Sequence, residues 1–248
     1  MINDDILNHG TETLEVISDA GKFNQWMYQT IKPYCSGNIL EVGSGIGNIS
    51  QYFLDDGFEI SLSDLSPDYF NILESKFSGF DNLKGLFTLD FAEKELEQKY
   101  PHLIGQFDTV FALNVLEHVP DHEQAIRNCR LLLKPGGNLV ILVPAFQSLF
   151  NQFDIALEHQ RRYTPKSLKK VMAIPGFKVI HSQYFNVIGI LGWFVSGKLM
   201  KKNTIPGGQM RLYDRLVPLW KVVDWTLGSL LGLSVIMVVQ KDEYEFNK

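Results

Sequence analysis

The 248-residue chain reads as an α/β protein built on a doubly wound, mostly parallel sheet. Three observations predict this. Short apolar runs alternate with stretches of helical spacing over most of the chain, the pattern of strand–helix–strand units. Several runs end on a carboxylate, Asp64 and Asp90 among them. The first run, Ile39-Leu40-Glu41-Val42, passes directly into Gly43-Ser44-Gly45-Ile46-Gly47, three glycines at alternate positions ahead of a helix-like segment. A strand, a glycine turn and a helix start in that order offer bare backbone N–H groups, where nucleotide-type cofactors bind.

Taken in order, Thr13 to Tyr34 places Phe23, Trp26, Met27, Thr30 and Ile31 at helical spacing and stops near Pro33. The first strand is Asn38 to Val42, and its helix runs from about Gly47 to Asp55, ending at Gly57. Phe58 to Ser63 is the second strand; Asp64 closes it and Ser66-Pro67 opens a helix. Lys84 to Thr88 is the third strand, ending at Asp90, and Phe107 to Leu113 the fourth. A helix from Asp121 to Leu133 stops at a turn, Lys134-Pro135-Gly136-Gly137, before strand five, Asn138 to Pro144. Thr164-Pro165 begins another helix, ending near Pro175-Gly176. Phe177 to Phe185 and Ser234 to Gln240 are the last strands. The expected organisation is one domain over 1–248, with a helical cap at 1–34 and a hydrophobic insertion at 186–233.

A hydrophobic content of 45% with 21% charged residues is ordinary for a globular protein. A net charge of −5 argues against a nucleic-acid surface as the main partner. Cys35 and Cys129, both in apolar helical contexts, build no disulfide framework and read as reduced core residues. The start Met1-Ile2-Asn3-Asp4-Asp5 lacks a signal-peptide core, so a cytoplasmic location is expected.

The glycine spacing separates cofactors. A dinucleotide fingerprint wants Gly-x-Gly-x-x-Gly, but here the third glycine, Gly47, comes one residue early and Asn48 takes its place. Glu41, at the end of a buried strand, suits a cationic ammonium and would repel a pyrophosphate. Glu-x-Gly-x-Gly-x-Gly resembles motif I of the class I S-adenosylmethionine-dependent methyltransferases. Two further stretches carry the resemblance: Phe107-Asp108-Thr109-Val110-Phe111-Ala112-Leu113-Asn114-Val115-Leu116-Glu117-His118-Val119, similar to that family's strand-four motif, and Lys134-Pro135-Gly136-Gly137. Together the matches span Phe23 to about Pro144. The resemblance implies a seven-stranded sheet of order 3-2-1-4-5-7-6 with the last strand antiparallel, a three-layer Rossmann-like fold. It also implies S-adenosylmethionine as cofactor and S-adenosylhomocysteine as product. Glu41, Gly43, Ser44, Gly45 and Gly47 would form the loop side of the site. Asp64 with Leu65 would take the ribose hydroxyls, Asp90 and Phe91 the adenine, and Asn114, Val115 and Leu116 the methionine side.

Methyl transfer from a sulfonium asks the protein to align nucleophile and methyl group and to exclude water. A hydroxyl acceptor also needs a base of near-neutral pKa, which histidine supplies. His118, just past strand four, and His159, after strand five, are the candidates. Arg161, Arg162 and Tyr163 could clamp an anionic group of the acceptor. Their stretch resembles a His-x-Arg-Arg-Tyr-Thr segment of a bacterial type 11/12-like methyltransferase subgroup, sometimes fused to glycosyltransferases. That points to small-molecule, sugar or lipid-linked acceptors. Some relatives hold a divalent metal through Glu-x-x-Glu-His at strand four; Asn114 replaces the first Glu here, so no metal is expected. The expected activity is O-methylation. N- or C-methylation and a non-catalytic S-adenosylmethionine-binding module are the alternatives, and a nicotinamide oxidoreductase is disfavoured by Asn48.

Between Asn186 and Leu233 lie Val187-Ile188-Gly189-Ile190-Leu191-Gly192-Trp193-Phe194-Val195, then Lys198, Lys201 and Lys202, and an amphipathic piece from Arg211 to Trp220. The apolar run is shorter than the ~20 residues a spanning helix needs. A lid on the core, a dimer surface and an interfacial anchor at a membrane all fit, with lid packing the leading expectation. Monomer and homodimer both remain open.

Overall fold

The structure, a computed structural model, describes residues 4–200, 202, 204 and 206–243; residues 1–3 of the expected cap and Lys201 of the insertion lie outside the described residues. Seven strands form one sheet in the order β3-β2-β1-β4-β5-β7-β6. They are β1 (Ile39–Val42), β2 (Ile60–Asp64), β3 (Leu83–Thr88), β4 (Phe107–Leu113), β5 (Leu133–Pro144), β6 (Phe177–Phe185) and β7 (Ser234–Lys241). β1 to β5 pair in parallel, while β7 runs antiparallel to both β5 and β6. This is the order that the motif resemblance implied.

The central strands β1, β4 and β5 are mostly apolar and almost wholly buried because both faces of the sheet are covered. Alternate residues belong to two separate cores. Leu40, Val42, Val110, Ala112 and Leu139 pack on one face. Ile39, Phe111, Val140 and Val238 pack on the other, with Phe53 stacked 5.0 Å from Phe111. The helices are α1 (Asp4–Ser18), α2 (Gly21–Ile31), α3 (Ser50–Asp55), α4 (Pro67–Phe77), α5 (Leu96–Lys99), α6 (His122–Leu132), α7 (Gln152–Ala156), α8 (Pro165–Met172), α9 (Gly189–Trp193), α10 (Gly207–Arg215) and α11 (Val217–Leu227).

Three expectations need correction. The single helical tract from Thr13 to Tyr34 is two helices, α1 and α2, followed by a tighter turn over Lys32–Tyr34. Gly21, a weak residue inside a helix, begins α2 instead. The helix expected from Gly47 begins only at Ser50, because Gly43, Gly45 and Gly47 all hold positive φ (70°, 54° and 78°) and keep the chain turning. Lys134-Pro135-Gly136-Gly137 is not a separate turn: β5 already starts at Leu133 and carries it as an irregular entry. Pairing with β4 slips there, between Phe107 and Thr109, and Gly136 at φ 76° absorbs the bend.

The insertion is helical. α9 continues into a π-helical stretch, Phe194–Leu199, then α10 and α11 follow before β7. It is tied down by its own carboxylates: Asp224 accepts the N–H groups of Asn186 (2.7 Å) and Val187 (2.6 Å), and Asp214 accepts that of Phe23 in α2 (2.8 Å). No helix among the described residues is long and apolar enough to cross a membrane.

Candidate active site

The parallel strands deliver the carboxyl ends of β1, β2, β3 and β4 to one edge of the sheet, and the strand order reverses between β1 and β4. Ligands of open α/β sheets bind at such a switch point. A cavity of about 780 Å³ lies there. Its wall includes Glu41, Gly43, Ser44 and Gly45 from the first loop, Asp64 and Leu65 after β2, Asp90 and Phe91 after β3, and Asn114 and Val115 after β4.

The glycine loop is held by close approaches. A Cβ on Gly43 would stand 2.4 Å from Val115 Cγ2, so glycine lets the ends of β1 and β4 come together. Gly45 turns its N–H onto Asp64 Oδ2 (2.8 Å), while Ser66 N–H donates to Oδ1 (2.9 Å). Burial nevertheless pushes the Asp64 carboxyl above its ordinary value. Glu41, buried in the cavity wall, takes a hydrogen bond from the Ser50 hydroxyl and is pushed up to about 8 by burial. Asn114 adopts φ 55°, unusual for a residue with a side chain, and donates its N–H to Leu142 (2.8 Å). Asp90 caps its own loop through Ala92 N–H (2.9 Å).

Two of the expected cofactor residues are not in the wall. Gly47 faces the core, where a Cβ would lie 2.3 Å from Phe77 Cε2 and 3.1 Å from Leu73 Cδ2. Leu116 is completely buried beneath the site. Helix α1 adds Thr13, Leu14 and Ile17 to the wall, and α4 adds Tyr69. The insertion contributes Trp193, Met210 and Tyr213. No motif marked these residues.

His118 and His159 meet edge to face with ring centroids 4.7 Å apart, and both line the cavity. Asp154 accepts from His159 Nδ1 at 2.8 Å and from Arg162 Nε at 2.7 Å. Asp154 is placed by a capping box at the start of α7, in which Asn151 and Asp154 bond each other's ends of the turn. Its partners hold its carboxyl below the ordinary value against the opposing effect of burial. Burial and the neighbouring His159 push His118 down to about 4. Glu117 is buried without a hydrogen-bond partner for either oxygen among the described residues, and burial pushes it up to about 8. Ligand-capable atoms of Glu117, His118 and His159 lie within 4.8 Å of one another, so these side chains could hold a metal.

Most donors of the arginine–tyrosine stretch have internal partners, while Arg162 Nη2 is buried without one among the described residues. Arg162, 5% exposed, reaches the cavity wall, but it pairs with Asp154, donates to the Ala145 carbonyl (3.1 Å) and lies over the Trp193 ring (4.6 Å). Arg161 donates to the carbonyls of Val119 and Pro120. Tyr163 is buried against His122, 2.7 Å from its Nδ1. Neither Arg161 nor Tyr163 reaches the cavity, because the backbone bridge between Ala145 and Tyr163 turns them onto β5 and the loop after β4. Asp154, which sequence reasoning missed, is the residue that joins His159 to Arg162. Its one visible signal was the Asn151-x-x-Asp154 spacing of a helix cap.

A Rossmann-like sheet with an antiparallel β7 and a glycine loop facing acidic strand ends defines the methyltransferase class. Residues 14–182 match the family model described as a methyltransferase domain, and the chain belongs to that family. The family's cofactor is S-adenosylmethionine. Among curated relatives, a ubiquinone biosynthesis O-methyltransferase of Xanthomonas euvesicatoria pv. vesicatoria is 34% identical over 103 residues, 42% of this chain and 41% of that protein. The polyketide synthase component of lovastatin nonaketide synthase from Aspergillus terreus is 31% identical over 150 residues, 56% of this chain and 5% of that protein. The chain therefore spans less than half the length of the curated relatives it matches. Phosphoethanolamine N-methyltransferase 2 of Haemonchus contortus, solved with S-adenosyl-L-methionine, shares the fold at TM-score 0.58 and 18% identity, over 88% of this chain and 52% of that one. The cyclase SpnF shares it at TM-score 0.59 and 16% identity, over 87% and 80%.

Proposed function

We propose that this protein transfers a methyl group to a hydroxyl of a small-molecule, sugar or lipid-linked acceptor. The observation that carries the reading is the Asp154–His159 pair, which opens onto the same cavity as the glycine loop. Bound S-adenosylmethionine would supply a methyl group already activated by a positive sulfur. Asp64 and Leu65 would hold the ribose, Asp90 and Phe91 the adenine, and Asn114 and Val115 the methionine side. Glu41 would face the ammonium, whose charge favours the ionised carboxylate that burial otherwise opposes.

His159 has its Nδ1 engaged by Asp154, which leaves Nε2 to accept the hydroxyl proton. The Asp154 carboxylate then stabilises the imidazolium, as in other carboxylate–histidine pairs. His118, neutral down to about pH 4, is too weak a base for this step and serves as a wall beside it. Arg162 keeps Asp154 ionised and fixed. The insertion and α1 form a lid that keeps water from the reacting groups. The proposed reaction runs without a metal. Glu117, pushed up to about 8, is protonated near neutral pH, so a cation must first displace that proton. The short match to an O-methyltransferase adds support for oxygen as the acceptor atom.

His159→Ala tests this. Turnover should fall about 10²–10⁴-fold, the range of general-base catalysis, while S-adenosylhomocysteine affinity measured by calorimetry stays unchanged. Equal losses in both quantities would remove the catalytic role. The acceptor is sought by incubating cell extracts with a radiolabelled methyl donor. Binding of S-adenosylhomocysteine with no labelled product from any extract would make the protein a binding module.

A further inference from the structure

The insertion turns a large part of its apolar side chains outward. Eleven of the fifteen large hydrophobic residues exposed among the described residues lie between 186 and 233. They follow helical spacing. On α11 the outward stripe is Leu219, Val222 and Trp225, with Trp225 87% exposed; on the α9 segment it is Leu191 and Val195. A surface helix of a soluble domain normally points its polar face to water. Here the inward face of α11 carries Val217 and the Asp224 carboxylate, and the outward face carries the apolar stripe.

Charge identifies what covers it. By sequence, residues 186–233 contain Lys198, Lys201, Lys202, Arg211, Arg215 and Lys221 against Asp214 and Asp224, a local excess of four positive charges in a chain of net −5. Both acids are directed inward, onto backbone N–H groups of Phe23, Asn186 and Val187. Arg211 and Arg215, one helical turn apart on α10, are exposed beside Leu212. Outward apolar side chains interleaved with exposed cations are the composition of a helix lying in a lipid interface. A second copy of the chain would bring this positive excess against itself.

We propose that the face formed by α9, α10 and α11 seats on the surface of an anionic lipid bilayer. Trp225 and the neighbouring leucines enter the headgroup boundary, and the lysines and arginines meet the lipid charge. The same segment supplies Trp193, Met210 and Tyr213 to the cavity wall, so a seated face brings the cavity to the bilayer. This inference stands apart from the methyl-transfer reading, because it concerns where the protein docks and not what it does.

The test uses the full chain with vesicles of phosphatidylglycerol mixed with phosphatidylcholine, and with vesicles of phosphatidylcholine alone. The protein should co-sediment with the anionic vesicles and partition about tenfold or more weakly onto the neutral ones. The double substitution Arg211→Gln, Arg215→Gln should reduce partitioning to a similar extent, and about 0.5 M salt should weaken it. Tryptophan emission should shift to shorter wavelength on adding anionic vesicles, and Trp225→Ala should abolish most of that shift. None of the substituted residues lines the cavity, so an unchanged affinity for S-adenosylhomocysteine shows that each variant is folded. Equal partitioning onto both vesicle types, or none onto either, overturns the proposal. So does a dimer, seen in solution without lipid, that protects Trp225 from a soluble quencher.

Discussion

Replacing Gly47 by alanine should weaken the fold and leave the cofactor site intact. The residue sits at φ 78°, where an L side chain costs about 1–2 kcal/mol. Its new Cβ would meet Phe77 at 2.3 and 2.7 Å and Leu73 at 3.1 Å, and both partners are essentially inaccessible to solvent. Overpacking of a tight core costs typically about 1–3 kcal/mol. The sum is about 2–5 kcal/mol, and a chain of this length loses roughly 2–4 °C of melting temperature per kcal/mol. Urea denaturation followed by circular dichroism measures the loss, and calorimetry on the folded variant measures S-adenosylhomocysteine binding. Adding Phe77→Leu should return the overlap part of the loss and not the backbone part. A variant as stable as the parent, or one that stays folded but loses the ligand, would refute the assignment of Gly47 to helix packing.

The other expectations concern protons and charges. Glu41 begins protonated below about pH 8 and must ionise to meet an ammonium, so S-adenosylmethionine affinity should rise with pH, up to about tenfold per unit, between about pH 5 and 8. Calorimetry in buffers of different ionisation enthalpy should count close to one proton released, and a count of zero would sink the pairing. Asp154→Asn should strip the buried Arg162 of its ionised partner and cost about 3–5 kcal/mol in urea titrations, less if Glu117 ionises in its place. Chelation with EDTA should leave turnover unchanged, whereas added Zn²⁺ should inhibit by capturing His159 with His118 and Glu117. Turnover that disappears with EDTA and returns with a stoichiometric cation would reverse the metal-free reading.

The glycine-loop side of the cavity was legible in the sequence because its parts are local. A strand, a glycine turn and a terminal carboxylate are neighbours along the chain, so Glu41, Gly43, Gly45 and Asp64 announced themselves by spacing. The alternation of apolar runs likewise exposed every strand of the sheet, although the β7 order came from the motif resemblance and not from periodicity. Gly47 was misplaced because the same positive φ serves ligand approach and helix packing, and only the position of Phe77 distinguishes them. The histidine corner of the cavity was illegible for a different reason. Asp154, His159 and Arg162 resemble an ordinary loop until a helix cap turns one carboxylate toward both the imidazole and the guanidinium. His118 comes to lie against His159 only when the ends of β4 and β5 stand side by side in the sheet. The amphipathic residues of 186–233 were visible as composition, but which of them face water is settled by the packing of three helices against α1, α2 and α7. Short-range backbone chemistry therefore specified the glycine-loop part of the cavity, while long-range packing decided the corner where Asp154, His159 and His118 meet.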